Sequence, residues 1–261
     1  MPGSGRGPAE PRPGAGSTAP HPALTTYYDR EGDRESFVTE LFDGAAAHYD
    51  WVCRVMTLGS GQSYRRQALR RAGLGRGMRL LDIGTGTGLL ARSALSTLGP
   101  PGLVIGIDAS HAMLQQALKA LPMPVVQGKA AALPFSRDFF DVVSIGYALR
   151  HVGDLAAAFR ECLRVLKPGG RLVILEISRP RSPVSLWAIR VYLQKVVPAI
   201  TRIGTRSAYA RLLTRYYWDT IAACVPPETI LDVLRQAGFV GVERHVIGGV
   251  FSEYGAGKPS R

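Results

Sequence analysis

The sequence predicts an α/β domain whose parallel sheet is covered by helices on both faces. Three observations predict it. Short apolar runs alternate with amphipathic helical stretches from residue 78 to residue 177. The first run ends in a glycine-rich turn, and the second ends in an acid twenty residues later. With 261 residues, 46% of them apolar and 20% charged, the chain can bury one large core.

The elements follow in order. Residues 1–33 hold six prolines and hardly any bulky aliphatic residue before Leu24, so a flexible tail is expected there. A helical pattern begins at Phe37, with two or three helices expected over 35–73. Met78–Ile83 reads as a buried strand, followed by the glycine turn and a helix near 87–97. Leu103–Asp108 is a second strand, and Ser110 caps a helix over 110–120. Strands follow at Pro124–Gln127 and Phe140–Ile145, then a helix near 154–166. Lys167-Pro168-Gly169-Gly170 turns the chain into a fifth strand, Arg171–Ile177. Residues 183–218 read as apolar helical segments broken by Pro198 and Gly204. A helix near 227–237 precedes two strands, Val240–Ile247 and Val250–Tyr254, whose Gly248-Gly249 link makes them antiparallel neighbours.

The formal charge of +12 is unevenly placed. Seven arginines and no acid lie between Asp50 and Asp82, and eight Lys or Arg and no acid between Glu176 and Asp219. Such stretches attract anions, whether phosphorylated substrates, nucleic acid or an acidic membrane face, or form a solvated basic surface. Cys53, Cys162 and Cys224 are scattered and lack metal-ligand spacing, so reduced thiols and no metal are expected. The N-terminus has neither a secretory signal nor a transit peptide pattern, and no apolar run is long enough to span a bilayer, so a cytoplasmic protein is expected.

The most specific local feature is Leu80-Leu81-Asp82-Ile83-Gly84-Thr85-Gly86-Thr87-Gly88. Glycines between a strand and its helix let a ligand approach the backbone amides. The nicotinamide fingerprint would need glycine at 89, where Leu89 stands, and no Gly-Lys-Ser/Thr follows to cradle phosphates. Asp108, closing the second strand, can accept hydrogen bonds from both ribose hydroxyls of an adenosine. The bland alternative is a plain turn, with Asp108 a helix cap.

With these residues the chain resembles class I S-adenosylmethionine-dependent methyltransferases, and within them the ubiquinone/menaquinone biosynthesis C-methyltransferase family. The likeness runs from about Phe42 to Lys258. It includes Phe42-x-x-x-Ala46-x-x-Tyr49-Asp50, Leu133-Pro134-Phe135, and Ala148-Leu149-Arg150-His151-Val152. It continues through Arg164 to Leu172 around the Lys-Pro-Gly-Gly turn, and through Leu175-Glu176-Ile177-Ser178-Arg179-Pro180.

The resemblance implies a Rossmann-like, seven-stranded methyltransferase sheet with its last strand antiparallel, an N-terminal helical lid and a helical insertion after strand five. In those terms 34–258 is a single methyltransferase domain. Helices occupy 34–75, the cofactor-binding core 76–180, a helical cap 181–225, and a C-terminal helix and hairpin 226–258. The cofactor implied is S-adenosyl-L-methionine. Its expected contacts are Asp82, Gly84, Gly86, Thr87 and Gly88 at the turn, Asp108 on the ribose, Lys129 and Ala130 at the adenine, and Gly146 beyond strand four. Tyr49 would lie over the methionine end. Lys129-Ala130, Cys53, Tyr64 and the segment 215–220 depart from the family's usual pattern and bear on the substrate.

A carbon nucleophile on a hydroxylated ring becomes competent once the neighbouring hydroxyl loses its proton. Arg150 and His151 are therefore the candidate catalytic residues, Arg150 stabilising the oxyanion or positioning a water. Arg150 could instead pair with a carboxylate such as Asp154, and His151 could be a hydrogen-bonded residue at a helix start. An aromatic, apolar small molecule is the expected substrate. Other small metabolites such as natural products, a nucleic-acid methyltransferase and a non-catalytic cofactor-binding partner are the alternatives. Nucleic acid is not expected, because Gly146-Tyr147-Ala148 replaces the Asp/Asn-Pro-Pro-aromatic loop of enzymes that methylate base amino groups. The basic, aromatic insertion raises peripheral contact with an anionic membrane at its inner face, and homo-oligomerisation stays open.

Overall fold

The computed structural model describes residues 18–180 and 182–260. One seven-stranded sheet organises it. Its strands are β1 (Arg79–Ile83), β2 (Leu103–Asp108), β3 (Val125–Gln127), β4 (Phe140–Gly146), β5 (Leu166–Ile177), β6 (Val240–Ile247) and β7 (Phe251–Gly257), in the order β3-β2-β1-β4-β5-β7-β6. The five strands from β1 to β5 pair in parallel, and β7 runs antiparallel to both β5 and β6. The sheet is therefore the expected methyltransferase arrangement.

Alternation along the strands explains why both faces are covered. Leu80, Val142 and Val173 point to one side, under α3 (Gly61–Arg71) and α4 (Leu89–Leu98). Leu81, Val143 and Ile174 point to the other, under α6 (Leu155–Val165) and α10 (Pro227–Gln236). Each such side chain, fully buried, contributes roughly 2 kcal/mol. The helix α5 (His111–Ala120) starts where expected, with the Ser110 hydroxyl accepting from Met113 N at 3.1 Å. Asp154 caps α6 in the same way, accepting from Ala156 N at 2.9 Å.

Above the carboxyl ends of the parallel strands lie α1 (Arg34–Ala45) and α2 (Tyr49–Thr57). Over them packs the helical insertion α7 (Pro183–Val191), α8 (Val197–Gly204) and α9 (Ala208–Ala223). A third core of Leu41, Tyr28, Leu213, Tyr216 and Tyr217 joins α1 to α9. β1 has β2 on one side and β4 on the other, so the chain reverses its winding there and leaves a crevice at the strand ends.

Three expectations are corrected. Pro198 does not break the insertion. The chain stays helical from Pro183 to Gly204, with Tyr192–Val196 in a π-helical turn just before the proline. Its wider turn relieves the clash of a proline ring with the carbonyl four residues back. The fifth strand starts at Leu166 and not at Arg171, because Gly169 N donates to Lys258 O at 3.1 Å and Lys258 N to Gly170 O at 2.9 Å, drawing the Lys167–Gly170 turn into β5.

The expected flexible segment is packed from Thr18 onward. Leu155 N donates to Thr18 O at 3.0 Å, Val225 N to Pro20 O at 2.8 Å, and Tyr27 Oη to Asp219. Buried His21 and Tyr28 complete the contact. Residues 1–17, the rest of that expected tail, lie outside the described residues.

Candidate active site

The turn after β1 is shaped by three glycines at positive φ: Gly84 at 64°, Gly86 at 57° and Gly88 at 85°. At Gly84 an added Cβ would come within 2.4 Å of the Ala148 Cβ, so only glycine lets this turn approach the end of β4. Asp82 sits beneath the turn and does not line the crevice. It accepts hydrogen bonds from Thr85 Oγ1 and Ser144 Oγ, both at 2.8 Å, and so ties β1, the turn and β4 together. Burial pushes its carboxyl up to about 6 against the pull of those two hydroxyls.

Asp108 closes β2 and faces the turn. Its Oδ2 accepts from Gly86 N at 2.8 Å and its Oδ1 from Ser110 N at 2.9 Å. Burial raises its carboxyl, while these two amides favour the charged form. Asp108 opens onto a crevice of about 950 Å³ that Tyr49, Gly84, Gly86, Lys129, Ala130, Gly146 and His151 also line. The structure thus brings together eight of the predicted residues. Thr87 and Gly88 are not among the lining residues. Thr87 donates its hydroxyl to Asp50, and Gly88 starts α4 packed against Leu121.

Polar ties hold the lid helices over this crevice. The Asp43 carboxylate accepts from Ser110 Oγ at 2.5 Å and Ala112 N at 3.0 Å, Asp50 accepts from Thr87, and Glu35 pairs with Lys129 at the rim. Glu35, Phe42, Tyr147 and Ala148 line the crevice without having been singled out as site residues. Phe42 lies seven residues before Tyr49, a spacing that could have placed both on one face. Tyr147 carries φ of 61°, a strained conformation for a non-glycine residue that no local pattern announces.

Arg150 belongs to a second cavity, of about 570 Å³, that meets the first at Tyr49 and Tyr147. Its ion-pair partner is Glu176 on β5, at 3.2 Å, and not Asp154, which is occupied in capping α6. The pair is bent away from hydrogen-bond geometry, and all three Arg150 nitrogens lack an acceptor among the described residues. The guanidinium carbon lies 5.6 Å from the Tyr217 ring centre, and Tyr217 Oη donates to Tyr49 Oη at 3.1 Å. Burial pushes the Cys53 thiol up to about 11 and raises Tyr49, so both stay neutral in this wall.

His151 lines the first crevice, with its ring stacked on Tyr216 at 5.5 Å and edge-on to Phe42 at 5.1 Å. Neither ring nitrogen has a hydrogen-bond partner among the described residues, contrary to the expected helix-start hydrogen bond. Burial and the Arg150 charge hold its pKa well below the ordinary histidine value, leaving a neutral imidazole. No cluster that could hold a metal ion occurs among the described residues.

The sequence pattern of the ubiE/COQ5 methyltransferase family matches residues 30–257. The demethylmenaquinone methyltransferase of Lactococcus lactis subsp. lactis (strain IL1403) is 35% identical over 223 residues, covering 82% of this chain and 86% of its own. The ubiquinone/menaquinone biosynthesis C-methyltransferase of Hahella chejuensis (strain KCTC 2396) is 36% identical over 213 residues, 79% and 84% of the two chains. Among solved structures, a Thermotoga maritima S-adenosylmethionine-dependent methyltransferase, described as a possible histamine N-methyltransferase, superposes with a TM-score of 0.59. It is 21% identical, covers 84% of this chain and 99% of its own, and shares the fold.

Proposed function

This chain belongs to the ubiE/COQ5 methyltransferase family, and from that premise we propose that it methylates a ring carbon of a quinol-like aromatic molecule. It is an S-adenosyl-L-methionine-dependent methyltransferase. The observation that carries the finer reading is the pair of cavities meeting at Tyr49 and Tyr147, one with a buried carboxylate at a glycine turn, the other with a buried guanidinium.

The first cavity fits the cofactor. A carboxylate held by two amides beside a glycine turn suits the ribose, and Ile83, Ile107 and Ala130 offer apolar surface to the adenine. Asp108 would hold the ribose, Lys129 and Ala130 would flank the base, and Gly84, Gly86 and Gly146 would let the ligand lie against backbone. Tyr49 would close the methionine end. When bound, S-adenosylmethionine supplies a sulfonium methyl group for in-line transfer to a nucleophile.

The acceptor ring would occupy the second cavity. The Arg150 guanidinium stabilises the oxyanion left when a ring hydroxyl gives its proton to water, which makes the adjacent carbon nucleophilic. Glu176 holds the guanidinium in place. The lid excludes bulk water, and His151 acts as a neutral wall of the cofactor cavity. An outer cleft of about 1070 Å³ shares Thr57, Tyr147 and Phe251 with the acceptor cavity and gives an apolar tail a way out. Incubation with methyl-labelled S-adenosylmethionine and a panel of quinols tests the reading. Label on a ring carbon supports it, and label only on oxygen or nitrogen ends it.

The insertion supports a peripheral membrane contact. Val184, Trp187, Ile200 and Ile203 are exposed along α7 and α8, Trp187 at 67% and Ile203 at 88%. Exposed Arg190, Lys195, Arg202 and Arg206 flank them, and no acid lies between Glu176 and Asp219. No helix of the described residues is long and apolar enough to cross a membrane. Sedimentation with anionic liposomes, reversed by moderate salt, is expected; no sedimentation would remove the contact.

A further inference from the structure

The acceptor cavity is lined by a second, largely buried arginine that has no ion-pair partner among the described residues. Arg65, on α3, is 7% exposed and lines this cavity, its guanidinium carbon 5.4 Å from the Tyr147 ring centre. Among the described residues it has no hydrogen bond and no ion pair. Glu176 is engaged with Arg150, and Asp82 with Thr85 and Ser144. Three hydroxyls around the cavity donate elsewhere, and Tyr147 Oη has no hydrogen-bond partner among the described residues. Tyr192 Oη donates to Val55 O at 2.5 Å, Thr57 Oγ1 to Cys53 O at 2.9 Å, and Tyr217 to Tyr49.

The cavity therefore presents two guanidinium groups against one carboxylate. An unpaired buried charge is costly, and proteins keep one where a ligand completes it. The tip of Arg65 lies beside the start of α3. At Gly61 an added Cβ would come within 2.7 Å of Arg65 Nη1.

We propose that Arg65 is a second oxygen-binding point of the acceptor site, holding an anionic or ionisable oxygen of the aromatic ring while Arg150 holds the oxygen beside the methylated carbon. The assignment rests on placing the acceptor in this cavity. The second oxygen can be a hydroxyl across the ring or a ring carboxylate, since both offer lone pairs and negative charge to a planar fork of donors. A site of this composition selects rings with two oxygen functions, holds monophenols weakly and rejects amines.

The test is equilibrium binding to protein loaded with S-adenosylhomocysteine, under anaerobic conditions, of three probes: 1-naphthol, naphthalene-1,4-diol and 1-hydroxy-2-naphthoate. Wild-type protein should bind at least one two-function probe about tenfold or more tightly than 1-naphthol, and which one shows whether hydroxyl or carboxylate is read. Arg65→Met should erase that advantage with S-adenosylhomocysteine affinity unchanged, and Arg65→Lys should keep part of it. Arg65→Gln, which keeps a polar side chain without the charge, should lose most of the advantage and stands in if Arg65→Met does not fold. No advantage in wild-type protein, or an undiminished one in Arg65→Met or in Arg65→Gln, overturns the proposal. Because the readout is binding, a failure to methylate any quinol would sink the proposed reaction and leave this comparison to decide the role of Arg65.

Discussion

Arg150 and Glu176 meet at 3.2 Å with side-chain exposures of 0% and 1%, joining the turn after β4 to the end of β5. Removing one partner of such a pair leaves an uncompensated buried charge, which typically costs about 3–5 kcal/mol. The two removals are not equivalent. A guanidinium cannot shed its proton, whereas the Glu176 carboxyl, already raised by burial, can take one up. Glu176→Gln should lose about 3 kcal/mol at pH 7.5. Arg150→Met should regain part of its loss as pH falls, because Glu176 then binds a proton more readily folded than unfolded. Urea unfolding at pH 7.5 and at pH 5 reads this, and a pH-independent loss in Arg150→Met would contradict it.

At the cofactor end, Asp108 and Asp82 should separate binding from stability. Asp108 lines the crevice, and its charge-assisted hydrogen bonds are worth about 1.5–3 kcal/mol each. Asp108→Ala should weaken S-adenosylmethionine binding about a hundredfold by calorimetry. Asp82 ties the turn from below, so Asp82→Ala should lower the unfolding midpoint more than it weakens binding. The reverse ordering would exchange their assigned roles.

Much of this was legible in the sequence. β2 has the bounds read from its apolar run, and the caps on α5 and α6 follow the expected chemistry of Ser110 and Asp154. The less legible parts are those where distant segments meet. Arg150 finds Glu176, twenty-six positions away, because β4 and β5 are adjacent; a local search suggests Asp154 instead. Thr87 and Gly88 belong to the right motif but serve the lid and the start of α4, a distinction set by which way a turn faces. Composition marks residues 18–28 as too poor in aliphatics to order themselves. It cannot show that Leu155 and Val225 offer them backbone donors and that α9 offers Asp219.

The lid should loosen at one tie far more than at another. Asp43 binds the first turn of α5 through Ser110 Oγ and Ala112 N, at a helix N-terminus where a carboxylate is favoured. Asp43→Ala should cost about 1–2 kcal/mol and speed amide exchange across Arg34–Ala45 roughly tenfold. The Glu35–Lys129 pair has side chains 48% and 62% exposed, and pairs of that kind contribute under about 1 kcal/mol. Lys129→Ala should therefore leave exchange in α1 nearly unchanged. Equal effects of the two substitutions in exchange mass spectrometry would refute this division.

His151 should make the protein sensitive to mild acid. Its imidazole is held neutral by burial and by Arg150, so its folded pKa lies well below the unfolded value of 6.5. The stability linked to this group is present above pH 6.5 and is lost as pH falls, because the unfolded chain takes up a proton that the folded chain refuses. At pH 5.5, one unit below the unfolded value, the loss reaches about 1.4 kcal/mol for one such histidine. His151→Phe keeps an aromatic ring between Phe42 and Tyr216 and gives up no hydrogen bond seen among the described residues. It should be near neutral at pH 7.5 and more stable than wild type by about that amount at pH 5.5. His21, lowered in the same direction, is present in both proteins and gives them an acid sensitivity in common. If the two stability profiles stay parallel from pH 7.5 to 5.5, the protonation resisted by the fold lies elsewhere than at His151.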